Sequence, residues 1–209
     1  METRTVETAE HIRINGAGTY RHDIQAKSVH TAGHGRFEGS ISTESFKSSG
    51  SCYVKGHCST KQMSSNGHGH FHSITADRID CSGSFRADQS VTTQSFHAKG
   101  IVMIGNTLTS RDVHIRFQGG TSSIKHLITK ETIDIRMERR LFLNLLSFGK
   151  KKVVCSSLEG RRVEIDHVEA DLIIGEDIQI GPNCKIGEVR YSKQLDIDPS
   201  SVIERAVQI

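Results

Sequence analysis

Apolar residues return about every 17 positions through more than half of the chain, in three parallel rows. One row is Tyr20, Phe37, Val54, Phe71, Ala87 and Ile104. A second is Ile24, Ile41, Cys58, Ile74, Val91 and Leu108, and a third is Ile12, Val29, Phe46, Met63, Ile79, Phe96 and Val113. The step is 17 except once in each row, where it is 16, and one deletion between Phe71 and Ile74 accounts for all three short steps. Unrelated hydrophobic positions would not share a deletion. A period of this length, carried by short segments of β-branched and aromatic residues, predicts an all-β solenoid. The expected fold is a β-helix whose coil of about 17 residues holds three short strands.

The polar positions keep the same register. Gly16, Gly33, Gly50, Gly67, Gly83 and Gly100 repeat with the same deletion, so one corner of each coil suits a residue without Cβ. Ile24 with Ala26, Ile41 with Thr43, Cys58 with Thr60, Ile74 with Ala76 and Val91 with Thr93 stand two apart and point inward together, because successive strand residues face opposite sides. Arg21, Glu38, Lys55, His72 and Asp88 form an outward, mostly charged ladder.

The coils are expected to reach Ile135. The segment from Leu108 to Ile115 is echoed from Ile128 to Ile135, and an insertion between Ile115 and Gly120 restores the register. Residues 1–135 are thus read as the main β-helix. Residues 136–152 break the pattern: Leu141, Phe142, Leu143, Leu145, Leu146 and Phe148 lie between Arg136, Arg139 and Arg140 on one side and Lys150, Lys151 and Lys152 on the other. That run is too short to span a bilayer. It could lie on an anionic membrane surface, cations toward the headgroups, or it could pack back on the solenoid or meet a protein partner. In residues 153–209 the pairs Ile174-Gly175, Ile180-Gly181 and Ile186-Gly187 are six apart, while Leu172 and Val189, Ile174 and Tyr191, Ile178 and Leu195, Ile180 and Ile197, and Ile186 and Ile203 are each seventeen apart. These spacings predict further coils with Pro182 and Pro199 at corners.

Composition fits a narrow column better than a globular core: 35% of residues are hydrophobic and 5% aromatic. A formal charge of +3 gives no argument for nucleic acid as a partner. The first eighteen residues contain Glu2, Arg4, Glu7, Glu10 and Arg13 and no apolar run, so no secretory signal is read there and a cytoplasmic location is expected, at the inner face of the membrane if the basic apolar run binds lipid. Of five cysteines, Cys52, Cys58 and Cys81 fall on inward rows and read as small buried hydrophobes in a reducing compartment.

The chemistry-bearing residues are sparse. His68, His70 and His72 alternate within Gly67-His68-Gly69-His70-Phe71-His72, but an inward Phe71 puts them outside, away from the cysteines, and no physiological metal or other cofactor is expected. Nucleophile-elbow, phosphate-loop and zinc-protease motifs are absent. The Ile-Gly hexapeptides raise one enzyme alternative, an acyltransferase of the left-handed β-helix type with a histidine base. His167 is the single histidine of the C-terminal third, and no extended loop accompanies it, so a non-enzymatic module is the preferred reading.

The Gly-anchored phrases Gly33-His34-Gly35-Arg36-Phe37-Glu38-Gly39-Ser40-Ile41 and Gly83-Ser84-Phe85-Arg86-Ala87-Asp88 resemble the repeats of bactofilins, polymer-forming bacterial cytoskeletal proteins. Leu158-Glu159-Gly160, Glu169-Ala170 and Ile180-Gly181-Pro182 are similar to the tail of a Firmicutes-type branch. The chain departs from the family in having two prolines rather than Pro-rich tails, and in the basic interruption. The resemblance implies a non-enzymatic scaffold that polymerises with itself, end to end and without nucleotide, in tasks such as cell shape or motility. Both ends fit that expectation: Ile12 and Ile14 already follow the repeat, Val207 and Ile209 keep the alternation, and neither end shows a dedicated cap.

Overall fold

The computed structural model describes residues 6–138 and 151–209. Within them the chain forms ten strands: β1 (Val6–Tyr20), β2 (Asp23–Phe37), β3 (Ile41–Ala87), β4 (Val91–Phe117), β5 (Thr121–Met137), β6 (Lys152–Glu159), β7 (Arg162–Ile165), β8 (Val168–Ile180), β9 (Lys185–Ile197) and β10 (Val202–Gln208). Every pairing is parallel, each coil lying on the one before it, and about 11 turns make one β-solenoid. Strands run around corners instead of stopping at them, which is why β3 is 47 residues long.

The three rows are confirmed as the interior. Phe37, Val54 and Phe71, then Ile41, Cys58 and Ile74, then Phe46, Met63, Ile79 and Phe96 are all buried. Pairing adds Ile124, Cys155, Ala170, Ile186 and Ile203 to the first row, and Leu127, Leu158, Ile173, Val189 and Ala206 to the second. Ile133, Val163, Ile178 and Leu195 extend the third. The section from residue 153 onward therefore stacks directly on the first.

Aromatic rings cross between rows to form one chain of contacts. Tyr20, half-buried on the first coil, stacks on Phe37 at 5.6 Å; Phe37, Phe46, Phe71, Phe85 and Phe96 then follow with centroids 5.5 to 6.2 Å apart. A narrow tube holds such rings only if other inward positions shrink. Gly35 lies beside Phe37 and Gly69 beside Phe71, and a Cβ on Gly69 would stand 2.9 Å from the Phe71 ring. In the next coil the sizes exchange: Phe85 takes the small position and Ala87 the large one. Thr31, Ser48 and Ser65 are buried for the same reason. Beyond Phe117 the filling is mainly aliphatic.

The glycine corner has a direct steric cause. Gly16, Gly33, Gly50, Gly67, Gly83, Gly100 and Gly120 all have positive φ, and a Cβ on Gly33, Gly50, Gly67, Gly83 or Gly100 would stand 2.1 to 2.3 Å from the carbonyl oxygen of the glycine beneath. After β6, His167 and Asn183 take left-handed conformations at the matching corner. The shared deletion sits at a different corner: only His72 and Ser73 separate Phe71 from Ile74, and His57 Nδ1 lies 2.8 Å from Ser73 Oγ across it.

Several expectations need correction. Leu108 pairs with Leu127, not Ile128, because register shifts flank that segment of β4 and β5; Ile128 is turned outward and 39% exposed. Val189 pairs with Ile173 instead of Leu172, and Tyr191 with Gly175 instead of Ile174, since a bulge follows Gly175. The other three C-terminal matches stand. Arg136 and Met137 still belong to β5, and Lys152 already begins β6, so the break is shorter than 136–152. Cys81, Glu38, Asp88 and Thr43 are half-buried, while Cys52, Cys58, Cys155 and Cys184 are buried.

Candidate functional surfaces

Outward side chains stack coil on coil, about 4.8 Å apart, so residues 16 or 17 apart in sequence become neighbours. One column reads Glu10, Lys27, Glu44, Lys61, Asp77, Gln94, Arg111, Glu131, Arg161, Glu176 and Lys193, with the charges alternating in sign. Lys27 and Glu10 are 2.8 Å apart, Arg161 and Glu131 3.3 Å, and Lys193 and Glu176 2.5 Å. Each exposed pair contributes only about 0.2–1 kcal/mol, but like charges one coil apart would oppose stacking, so the alternation favours this register over slipped ones. The Glu38 carboxyl is held below its usual range chiefly by Arg36.

A second column starts at Arg13, His30 and Lys47 and continues through Asp80, His97, His114, Asp134, Glu164 and Gln179 to Asp196. The His97 and His114 rings are 5.1 Å apart; His97 Nδ1 faces Asp80 at 3.2 Å and His114 Nδ1 faces Asp134 at 3.4 Å. Arg78 binds Asp80, and both Arg116 and Arg136 bind Asp134. Burial alone would raise the Asp134 pKa, but its Arg116, His114 and Arg136 neighbours bring it below the ordinary value. These carboxylates are thus committed to guanidinium groups.

His68 and His72 are exposed, and His70 is half-buried against Asp88 at 2.9 Å, as the inward Phe71 requires. Among the described residues no group of three or more His, Cys, Asp or Glu side chains could hold a metal ion. His70 also packs edge-on to Tyr53, over which Arg36 lies at 5.0 Å. His167, the candidate base of the enzyme alternative, has Nδ1 at 3.1 Å from Asp166 and Nε2 at 3.1 Å from Asn183, so both ring nitrogens have partners at a corner. Burial pushes the Cys52 and Cys155 thiols up to about 12, well away from thiolate chemistry at neutral pH.

The contact candidates Arg139, Arg140, Leu141, Phe142, Leu145, Leu146, Phe148 and Lys150 lie outside the described residues. Lys151 and Lys152 are described and half-buried, and Lys152 Nζ is 2.5 Å from Glu169. Arg136 binds Asp134 and Glu164. Those two flanking cations are therefore engaged by the wall. No helix among the described residues is long and apolar enough to cross a membrane.

The two ends present sheet edges. β1 pairs only with β2 and β10 only with β9, leaving one side of each terminal coil without a strand partner among the described residues. The last coil is the more apolar, with Ile197 39%, Val202 60% and Ile209 67% exposed. On the first coil Glu7 sits opposite Ile24 in the second row, a charged residue at an otherwise apolar register position, which the sequence reading did not single out.

The fold and these surfaces define a parallel β-solenoid with charged columns and, among the described residues, a strand edge on its first and last coils. The chain is 30% identical to YhbF of Bacillus subtilis (strain 168), a protein itself uncharacterized, over 101 residues that make up 48% of this chain and 37% of that one. It is 32% identical to the likewise uncharacterized YhbE of the same organism over 72 residues, 34% of this chain and 30% of that one. Each match thus spans about a third of the relative's length. No family model and no solved structure matches the chain.

Proposed function

We propose that the protein is a non-enzymatic, bactofilin-like scaffold whose β-solenoids assemble end to end, without nucleotide, into filaments. The observation that carries this reading is the pair of parallel edges that have no strand partner among the described residues, continuous with a column of apolar rows. An added coil would find strand partners for its backbone and apolar neighbours for its inward side chains, so no chemical energy source is needed. The commitment of the polar clusters to ion pairs favours a scaffold over an acyltransferase. In this reading the basic apolar run around Leu141 and Leu145 holds the filament to an anionic membrane at the cytoplasmic face.

Negative-stain microscopy and light scattering of the purified protein, with no nucleotide added, test the proposal. Filaments whose mass grows with protein concentration are expected. A monomer or a compact trimer over a wide concentration range would overturn it.

A further inference from the structure

The column from Glu10 to Lys193 alternates in sign, but its phase changes once. Glu10, Lys27, Glu44, Lys61 and Asp77 run up to the neutral, exposed Gln94, and beyond it Arg111 stands where uninterrupted alternation would put a carboxylate. Stacking within one chain gains nothing from that change, since unlike neighbours are obtained in either phase. What the change alters is symmetry. About Gln94 the column is antisymmetric: Glu10 is opposite in sign to Lys193, Lys27 to Glu176, Glu44 to Arg161, Lys61 to Glu131 and Asp77 to Arg111. Lys130 shares the irregular step with Glu131, which binds Arg161 and holds the column position. The neighbouring column on the same face is uncharged and exposed from Thr8 and Gln25 through Ser59 and Thr92 to Thr109. Over the first five coils the two columns wall a groove of about 830 Å³ whose floor is Ala9, Ala26, Thr43, Thr60 and Ala76. Further along, the uncharged column turns bulkier, with Ile128 39% exposed and Ile174 half-buried.

We propose that this face binds the same face of a second copy, side by side, with the two solenoids antiparallel and Thr92 and Gln94 on the twofold axis between them. The contact is lateral and does not depend on the end-to-end assembly proposed above. A twofold axis across the solenoid lays each column on itself in reverse order, so all five pairs meet with unlike signs, twice over. Charge also sets the register. Sliding one copy by a single coil puts Glu10 on Glu176, Lys27 on Arg161, Glu44 on Glu131 and Lys61 on Arg111, and sliding it the other way puts Lys27 on Lys193. A parallel, in-register pair would set like on like throughout. A parallel pair staggered by one coil also opposes unlike charges, but it needs no phase change at Gln94 and no twofold closes it. Shape agrees with the antiparallel pair, which lays the bulkier Ile128 and Ile174 of one copy over Ser59 and Gln25 of the other, on the groove wall. Facing strips about 50 Å long and 12 Å wide bury on the order of 1,200 Å² over both copies, the lower end of what stable specific interfaces bury.

Two cysteine variants that leave the charged column intact test the pairing, Thr92→Cys and Ser59→Cys, with far-ultraviolet circular dichroism checking the fold. Each is treated with a short bismaleimide able to span sheets that face each other at about 10 Å, and covalent dimers are read on a denaturing gel. Wild type is the blank for the native cysteines. Thr92→Cys should join to itself about tenfold above the blank, since the two copies face across the axis. Ser59→Cys should stay at the blank, because an antiparallel pair holds its two copies about four coils, or roughly 19 Å, apart along the solenoid. Joining of Ser59→Cys means a parallel pair and overturns the proposal, and joining of neither overturns the contact. Thr92 lies mid-solenoid, out of reach of any end contact, so filaments seen or missing by microscopy decide the end-to-end reading separately. In the Thr92→Cys chain, adding Asp77→Arg should lower the yield about tenfold at low salt, and adding Arg111→Asp as well should restore it. Strain within one chain would accumulate in that last variant instead, so a yield that stays low overturns the charge register.

Discussion

The carbonyl oxygen of Gly50 occupies the place where a Cβ on Gly67 would stand, 2.3 Å away. Gly67 also has φ +114, so an L side chain there meets both a clash with backbone and a disfavoured conformation. Gly67→Ala should cost about 2–4 kcal/mol, read by chemical denaturation. Gly16→Ala is the control: its φ is +92, but nothing lies within 4 Å of its Cβ position, so only conformational strain of about 1 kcal/mol is expected. Equal losses in the two variants would show that stacking of glycine on glycine does not set this corner.

Phe85 and Ala87 reverse the Gly-x-Phe arrangement of Gly69 and Phe71 one coil earlier. Phe85→Ala should lose about 3–5 kcal/mol, the usual cost of emptying a buried aromatic site. Combining Phe85→Gly with Ala87→Phe rebuilds the neighbouring coil's pattern and should recover a large part of that loss, measured by the same denaturation midpoint. A double variant less stable than Phe85→Ala would mean that the size exchange is fixed by more than total volume.

The coil period and interior rows were legible because a solenoid writes each contact at one sequence interval. The errors fall where two apolar residues adjoin: Leu127-Ile128 and Leu172-Ile173-Ile174 each offer a choice of inward residue, and constant spacing picked the wrong one. Bulges decide those positions, and bulges depend on local backbone pairing. The column of Glu10, Lys27, Glu44, Lys61 and Asp77 carried the same 17, 17, 17 and 16 spacing as the apolar rows and could have been found from it. The partner of His114 was less accessible, since Asp134 stands across an irregular step of 20 residues.

Asp134 should give the solenoid an acid-labile step. Its folded pKa lies below the unfolded value, so its contribution to stability is complete above the unfolded pKa and is lost as pH falls through the folded one. Asp80 and Asp88 are shifted the same way. The melting temperature should therefore hold from pH 7 to about 5 and fall steeply below about 4. Asp134→Asn should lose about 2 kcal/mol at pH 7 and flatten that fall. An unchanged acid slope in the variant would assign the lability elsewhere.

β5 ends and β6 begins at one corner of the coil, which makes the residues between them replaceable without disturbing the paired strands. Phe117 pairs with Met137 and Thr121 with Lys152, so the step that Gln118, Gly119 and Gly120 complete in one coil takes residues 138–151 in the next. Replacing 138–151 by Gln-Gly-Gly should then preserve the coils, with a melting temperature within a few degrees of wild type and the same assembly by light scattering. Glu138 has partners of its own, including Lys99 at 2.9 Å, and their loss should be a small surface effect. Binding to vesicles containing anionic lipid should disappear in the shortened protein, because each cation near such a surface adds about 1 kcal/mol and the apolar side chains go with them. Sedimentation with vesicles separates the two roles. A shortened protein that still binds vesicles would remove the membrane role from this segment, and one that no longer folds would show that the segment completes the wall.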